Sequence, residues 1–338
     1  MRRVDESDVI EVGGVIATPS REHRRGWRRL AWFLVVPCAA WALFQLAGLR
    51  FGVLGVVVST ATPYAAAGAL VAVLIAALAR ARAAAVVGLL AVAGLLFQVT
   101  PRAVATEQPA AGGPTLRVLT INIMMGEADS DVLLDLVRRL RPDVVSVQEL
   151  EPWAVIALSR KGLPDILPYT HLLPRRGGAG GGLYSRFPLT ALPEFAPRRG
   201  HEMPYARLLI PGAPPVDIAA VHPVNPVKQG TRTWRAGLAS MPASGGDAIR
   251  IMAGDFNATL DHPEFRQVLA RGYRDAAEVI GAGLTPTWPA NWRTPPMITI
   301  DHVLADPRVQ VLSVAAHTIP GTDHRAVFAE LRLPATLS

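Results

Sequence analysis

The chain has 338 residues, 50% of them hydrophobic and only 18% charged, more apolar than a soluble domain requires. Of its formal net charge of +7, residues 1–114 carry +5 (11 Arg against 6 acidic) and the remainder +2 (23 basic against 21 acidic), which argues against an extended nucleic-acid-binding face on the larger part. The single cysteine, Cys38, excludes an intramolecular disulfide and a zinc site built on thiolates.

Residues 1–29 are polar and end in a basic cluster, Arg21, Arg24, Arg25, Arg28 and Arg29. Three uncharged runs follow, residues 30–49, 51–78 and 83–99, interrupted by Arg50 and by Arg80 with Arg82. Because ~20 apolar helical residues cross ~30 Å of hydrocarbon, three transmembrane helices are expected within residues 30–100. A cleaved signal peptide would explain only the first run, and burial in a soluble core is at odds with their length and lack of charge. The arginine-rich N-terminus and the Arg80/Arg82 loop are expected in the cytoplasm. Three crossings then give a multi-pass cell-membrane protein with its C-terminal domain extracellular.

Residues 101–114, PRAVATEQPAAGGP, lack periodicity and read as an extended linker before a catalytic domain at 115–338. In that domain LRVLTINI reads as a buried strand. Asp129 or Ser130 can cap a helix whose Leu133, Leu136, Val137 and Leu140 share one face, ended by Pro142. DVVSVQE, VDIAAVH, AIRIMAGDF, MITIDHVLA and RAVFAEL read as further strands, which makes an α/β or α+β domain.

Residues able to bind a metal or a phosphate stand at nearly every strand end, where the ligand crevice of an open α/β sheet lies. Asn122 closes the first strand and Gln148 with Glu149 the second; His222 follows VDIAAV, Asp255 and Asn257 follow IRIMAG, Asp301 sits in ITIDHVL, and Asp323 and His324 precede the last strand. Taken singly, a strand-end carboxylate is more often a cap or a solvated rim group. The ordered set LTINI, VVSVQE, GGLYSRFPL, AVHP, AGDFN, IDHVL and TDHRAV is far more specific. It resembles the endonuclease/exonuclease/phosphatase superfamily over about residues 115–335.

The resemblance implies a four-layer α/β sandwich, two packed mixed sheets flanked by helices, and hydrolysis of phosphate esters or anhydrides. Oxygen ligands from Glu149, helped by Asn122 and Asp323, suit Mg²⁺ or Mn²⁺. Asp255 would position or deprotonate the attacking water, and Asn257 would hold a phosphoryl oxygen. His222 and His324 would stabilise transition-state charge, with Asp301 orienting His324 and favouring its imidazolium. Arg207 and Tyr205 could approach a phosphate or be ordinary strand residues, and Asn225 could touch substrate or simply cap a Pro-flanked turn. His201, His262 and His317 read as satisfied polar core residues. The run GGAGGG at 177–182 lacks the Lys-Ser/Thr of a P-loop and reads as a flexible loop. Trp288 and Trp292 belong to a loop near the site by family analogy.

A tether in the bilayer concentrates lipid substrates, and the near-neutral domain has only Lys161 and Lys228 as lysines, so a lipid-phosphate partner is favoured over nucleic acid. Short N-terminal spans before an outward domain resemble the VanJ-type proteins of vancomycin and teicoplanin resistance. That likeness implies a role in the cell envelope on undecaprenyl or a related polyprenyl pyrophosphate. A tethered nuclease or phosphodiesterase and a non-catalytic binding module are the alternatives.

Overall fold

The computed structural model describes residues 21–195, 200–291 and 293–335; residues 1–20 of the basic N-terminal segment and Trp292 lie outside the described residues. The N-terminal part is helical: α1 (Arg21–Leu46), α2 (Gly52–Ser59), α3 (Thr62–Leu78) and α4 (Arg82–Val99). Two stretches, Arg25–Leu46 and Arg82–Ala103, are long and apolar enough to cross a membrane.

The middle run departs from the single helix expected over residues 51–78. It breaks into α2 and α3, bent by 68°, and counts as a third span only if that bent pair is one. Local chemistry explains the break. Pro63 lies in the first turn of α3 and disfavours helical backbone before it. The hydroxyls of Ser59 and Thr62 donate to the carbonyls of Gly55 and Ser59, giving the backbone an alternative to helix continuation. Small residues let the helices approach: Ala66, Ala69, Ala72 and Ala76 bury one face of α3, and a Cβ on Gly88 of α4 would stand 2.7 Å from Val73.

Residues 101–114 contain no long element, yet they are held. A short 3₁₀ turn at Thr100–Ala103 places Arg102, 5% exposed, in a bidentate pair with Asp261 at 2.7 and 3.0 Å. Gln108 exchanges two hydrogen bonds with the backbone of Val311.

The C-terminal domain packs two six-stranded mixed sheets face to face, matching the expected sandwich. The first runs β11 (Gln310–Thr318), β12 (Arg325–Arg332), β1 (Thr115–Asn122), β2 (Val144–Gln148), β4 (Gly181–Ser185), β3 (Tyr169–Leu173). The second runs β5 (Leu189–Ala191), β6 (Tyr205–Leu208), β7 (Val216–Val221), β8 (Ile249–Asp255), β10 (Asp301–Ala305), β9 (Arg274–Asp275). Alternate residues of both sheets, among them Val118, Ile218, Ile251, Val303 and Ala329, fill the space between them. α5 (Ser130–Leu140) and α6 (Pro152–Arg160) cover the first sheet; α7 (Thr231–Ser240) and α8 (Pro263–Leu269) cover the second. Asp129 is the cap of α5, its carboxylate accepting from the N–H groups of Asp131 and Val132.

The polar residues inside the sandwich are paired rather than catalytic. Gln148 donates to Ser146, whose hydroxyl donates across to the Ala253 carbonyl of the other sheet at 2.8 Å. A central pair in each sheet is parallel, β1 with β2 and β7 with β8, so their C-terminal ends emerge together at one edge of the sandwich.

Candidate active site

Register decides which side chains meet. Asn122 is opposite Gln148 in the β1–β2 pair, which sets Glu149 beside it, and Asp301 is directly opposite Asp255 in the antiparallel β8–β10 pair. Glu149 and Asn257 both leave their strands with positive φ, 58° and 48°, a conformation costing a non-glycine residue on the order of 1–3 kcal/mol. Both lie at the cleft.

The Asn122 amide donates to Glu149 Oε1 and to Asp255 Oδ2, each at 3.1 Å. Asp255 Oδ1 accepts from the Asn257 N–H at 2.8 Å, while Oδ2 faces two imidazoles, His222 Nε2 at 3.7 Å and His324 Nε2 at 3.8 Å. His324 Nδ1 is bound by Asp301 at 3.0 Å. Thr322, accepting from the His324 N–H and donating to the Asn122 carbonyl, locks the TDH turn against the end of β1.

Burial pushes the Asp255 carboxyl up to about 7, with the His324 charge pulling the other way. Burial works against a charged His324, but the carboxylates of Asp301 and Asp255 outweigh it and raise the imidazolium to about 10. His222 is held well below its ordinary value by burial and by the His201 and His324 rings, so it is neutral. Glu149 is raised by burial, the amide of Asn122 and the His324 charge opposing, and nearby Asp323 adds to the rise.

That crowding of Glu149 and Asp323 is what a hard divalent cation relieves, and both carboxylates keep spare lone pairs toward the cleft. Asp255, Asp301 and His324 also offer three ligand atoms within 4.8 Å of one another. Glu149 and Asp323 could hold such a cation, whereas His324, as long as it is an imidazolium, has no lone pair to give. Asn122 departs from the expected oxygen ligand: its Oδ1 accepts from the Met124 N–H at 2.9 Å, so its NH₂ faces the carboxylates and aligns them.

Asn225 and Asn257 meet at the rim, Asn225 Nδ2 donating to Asn257 Oδ1 at 3.3 Å. One N–H of the Asn257 amide is taken by the Pro223 carbonyl, leaving the second for a ligand. Arg207 stands elsewhere. Its guanidinium forms a bidentate pair with Asp217, at 2.6 and 3.0 Å, on the neighbouring strand, and Tyr205 also bonds Asp217. The residues thought to reach a phosphate from β6 are therefore committed to the sheet.

His201 is the functional residue that sequence reasoning assigned to the core. Gln229 accepts the Asn225 N–H through Oε1, so its NH₂ faces His201 Nε2 at 3.0 Å. His201 must then carry its proton on Nδ1 and donate it to His222 Nδ1 at 3.1 Å, which leaves His222 protonated on Nε2, the nitrogen facing Asp255. The chain Gln229, His201, His222 thus fixes a tautomer. No local signal marked it, because the partners are far apart in sequence. His262 is satisfied as expected, accepting from the Thr259 N–H and bonding the Val56 carbonyl, whereas His317 Nε2, on β11, lacks a protein partner.

The glycine run is structural. The N–H groups of Gly177 and Gly178 donate to the Glu151 carboxylate, and a Cβ on Gly180 would collide with the Leu150 carbonyl.

Residues 119–324 match the endonuclease/exonuclease/phosphatase family, and the chain belongs to it; its members are divalent-metal-dependent phosphoester hydrolases. No curated protein matches the chain. Similar solved structures include a humanized D. rerio TDP2 (19% identity, covering 64% of this chain and 98% of that one, TM-score 0.50). An endonuclease/exonuclease/phosphatase from Beutenbergia cavernae matches at 20% identity, 65% and 72% coverage and TM-score 0.46. At such identities the likeness concerns the fold alone.

Proposed function

We propose that the chain is a membrane-anchored, Mg²⁺- or Mn²⁺-dependent phosphohydrolase acting outside the cytoplasm on a lipid phosphate or pyrophosphate, such as undecaprenyl pyrophosphate in the cell envelope. The observation that carries the chemistry is the convergence of Asp255, the Asp301–His324 pair and the tautomer-fixed His222 on one point beside Glu149 and Asp323. Glu149 and Asp323 would hold the divalent cation, which when bound would supply Lewis-acid polarisation of the phosphoryl oxygens. Asp255, tuned near neutrality, accepts the proton of the attacking water as the P–O bond to the leaving group breaks. The His324 imidazolium and the His222 Nε2–H stabilise the negative charge that grows on the phosphoryl oxygens, and Asp301 keeps His324 charged and aimed.

The helical part supports the location. Arg28 donates to the Arg80 carbonyl, so the basic start of α1 and the α3–α4 turn share one end of the bundle. Arg50 after α1, Tyr64 in the first turn of α3 and Arg102 after α4 each bond the catalytic domain. A cytoplasmic basic end then leaves the domain outside.

The test uses the full-length protein in detergent with undecaprenyl pyrophosphate, sphingomyelin and plasmid DNA, each with Mg²⁺ and with excess chelator. Phosphate release from the pyrophosphate, lost with chelator and reduced about 10³-fold or more in Asp255→Asn, is expected. Plasmid nicking with the lipids untouched would instead establish a tethered nuclease.

A further inference from the structure

α2 is too short to cross a bilayer and is bent away from α3, and its inner face is part of the catalytic cleft. The cavity of about 560 Å³ that holds Glu149, Asp255 and His324 is also lined by Val56, Val57 and Thr60 of this segment. Opposite them stand Trp288 and Ile298 of the loop before β10, a loop tied to α3 by a hydrogen bond from the Tyr64 hydroxyl to the Met297 carbonyl, 2.7 Å.

The wall is anchored. Val56 packs into the core of the second sheet with Trp234, Phe256 and Phe265, and its carbonyl meets His262 Nε2 at 3.0 Å. Arg50, just before α2, pairs with Glu264 at 3.4 Å, and Arg102, just after α4, with Asp261. One short stretch, residues 261–264 at the start of the helix Pro263–Leu269, thereby grips the helical part at three points.

Beyond the anchored face the exposed large side chains of this segment are apolar. Val57 is 48% exposed, and Phe51, Val53 and Leu54 on the same segment are 60%, 41% and 72% exposed. An apolar track thus leads from the carboxylates to the side of the helix bundle, with no charged group on α2 itself. A water-soluble phosphate ester has no use for such a wall; an amphipathic one is matched at both ends, with its phosphate among the catalytic groups and its chain along the track.

We propose that α2 forms the chain-binding wall of the active site, with Val56, Val57 and Thr60 seating the hydrocarbon chain of a membrane-resident phosphate that slides in from the bilayer without leaving it. The proposal rests on the lipid-phosphate reading above and adds the site that recognises the chain. Val57, exposed and outside the packed core, is the residue to change.

The experiment measures kcat/KM of the full-length protein in nanodiscs on undecaprenyl pyrophosphate and on water-soluble isopentenyl pyrophosphate. Val57→Asp is expected to lose about tenfold more on the long substrate than on the short one, since a carboxylate in the track must be desolvated against the chain. Val57→Leu should keep the wild-type ratio within about twofold. Equal losses on both substrates, or none on either, overturn the chain-binding role and leave the lipid-phosphate reading standing. Failure of the wild type on every lipid phosphate, with a soluble ester still cleaved, overturns both. A diazirine placed in the chain of the long substrate should label residues 53–60; labelling confined to α1 and α4 would contradict the proposal independently of turnover.

Discussion

Two walls of the catalytic cleft present a histidine to the same Asp255 oxygen at almost the same distance, 3.7 Å from His222 and 3.8 Å from His324. Both rings are buried, at 3% and 6% exposure. On the β10 side, Asp301 behind the ring keeps His324 charged in spite of burial; on the β7 side, burial keeps His222 neutral and His201 behind the ring directs its proton to Nε2. Burial disfavours charge on both rings, and only the one with a carboxylate behind it stays an imidazolium. One wall therefore offers a permanent positive charge and the other a neutral N–H whose direction is set by a relay.

Breaking the charged wall should have the larger effect. Asp301→Asn leaves a hydrogen-bonding shape but removes the charge that holds the imidazolium, and kcat should fall about 10²–10³-fold with KM changed much less. A loss confined to KM would show that His324 acts in binding alone. Breaking the relay is milder. His201→Phe keeps the ring volume but frees the His222 tautomer, and a drop of up to about tenfold in kcat/KM is expected from one lost orienting hydrogen bond. Nitrogen NMR of labelled histidine should show the His222 proton distributed over both nitrogens; a single Nε2-protonated form in the variant would remove His201 from the account.

A third histidine supplies a reference away from the chemistry. His302 is fully buried, and burial opposes its charge, yet the Asp275 carboxylate at 2.6 Å raises it above its ordinary value. Its stabilising contribution is complete below the unfolded value near 6.5 and is lost as pH rises through the higher folded value. Thermal midpoints should therefore fall as pH rises above about 6.5, by about 2–4 °C per kcal/mol lost, and His302→Gln should flatten that part of the curve. An unchanged slope in the variant would mean that the pair stays neutral.

The polar half of the site was legible because each of its residues ends a strand, and strands announce themselves through short apolar runs. Asn122, Glu149, Asp255 and Asp301 needed only the sandwich to bring them together. What was hidden depends on contacts between distant stretches. Arg207 looked free until Asp217, on the neighbouring strand, took its guanidinium. His201 sits in a loop whose text says nothing of Gln229. The break near Thr60 was masked by continuous apolarity, although Pro63 and the hydroxyls around it were the local signal. The stretch at 101–114 has the composition of a free tether, and only Asp261 reveals that Arg102 is buried.

The Arg102–Asp261 pair bears on how this enzyme can be handled. Trimming the chain at about residue 115 to obtain a soluble fragment would strip the guanidinium from Asp261, which is 1% exposed, and leave a buried anion without its counter-charge. Such an orphaned charge costs about 3–5 kcal/mol, a large share of a typical domain's stability. The hydrolase unit and its helical part are better purified, assayed and engineered as one piece, and any shortened form should retain Arg102.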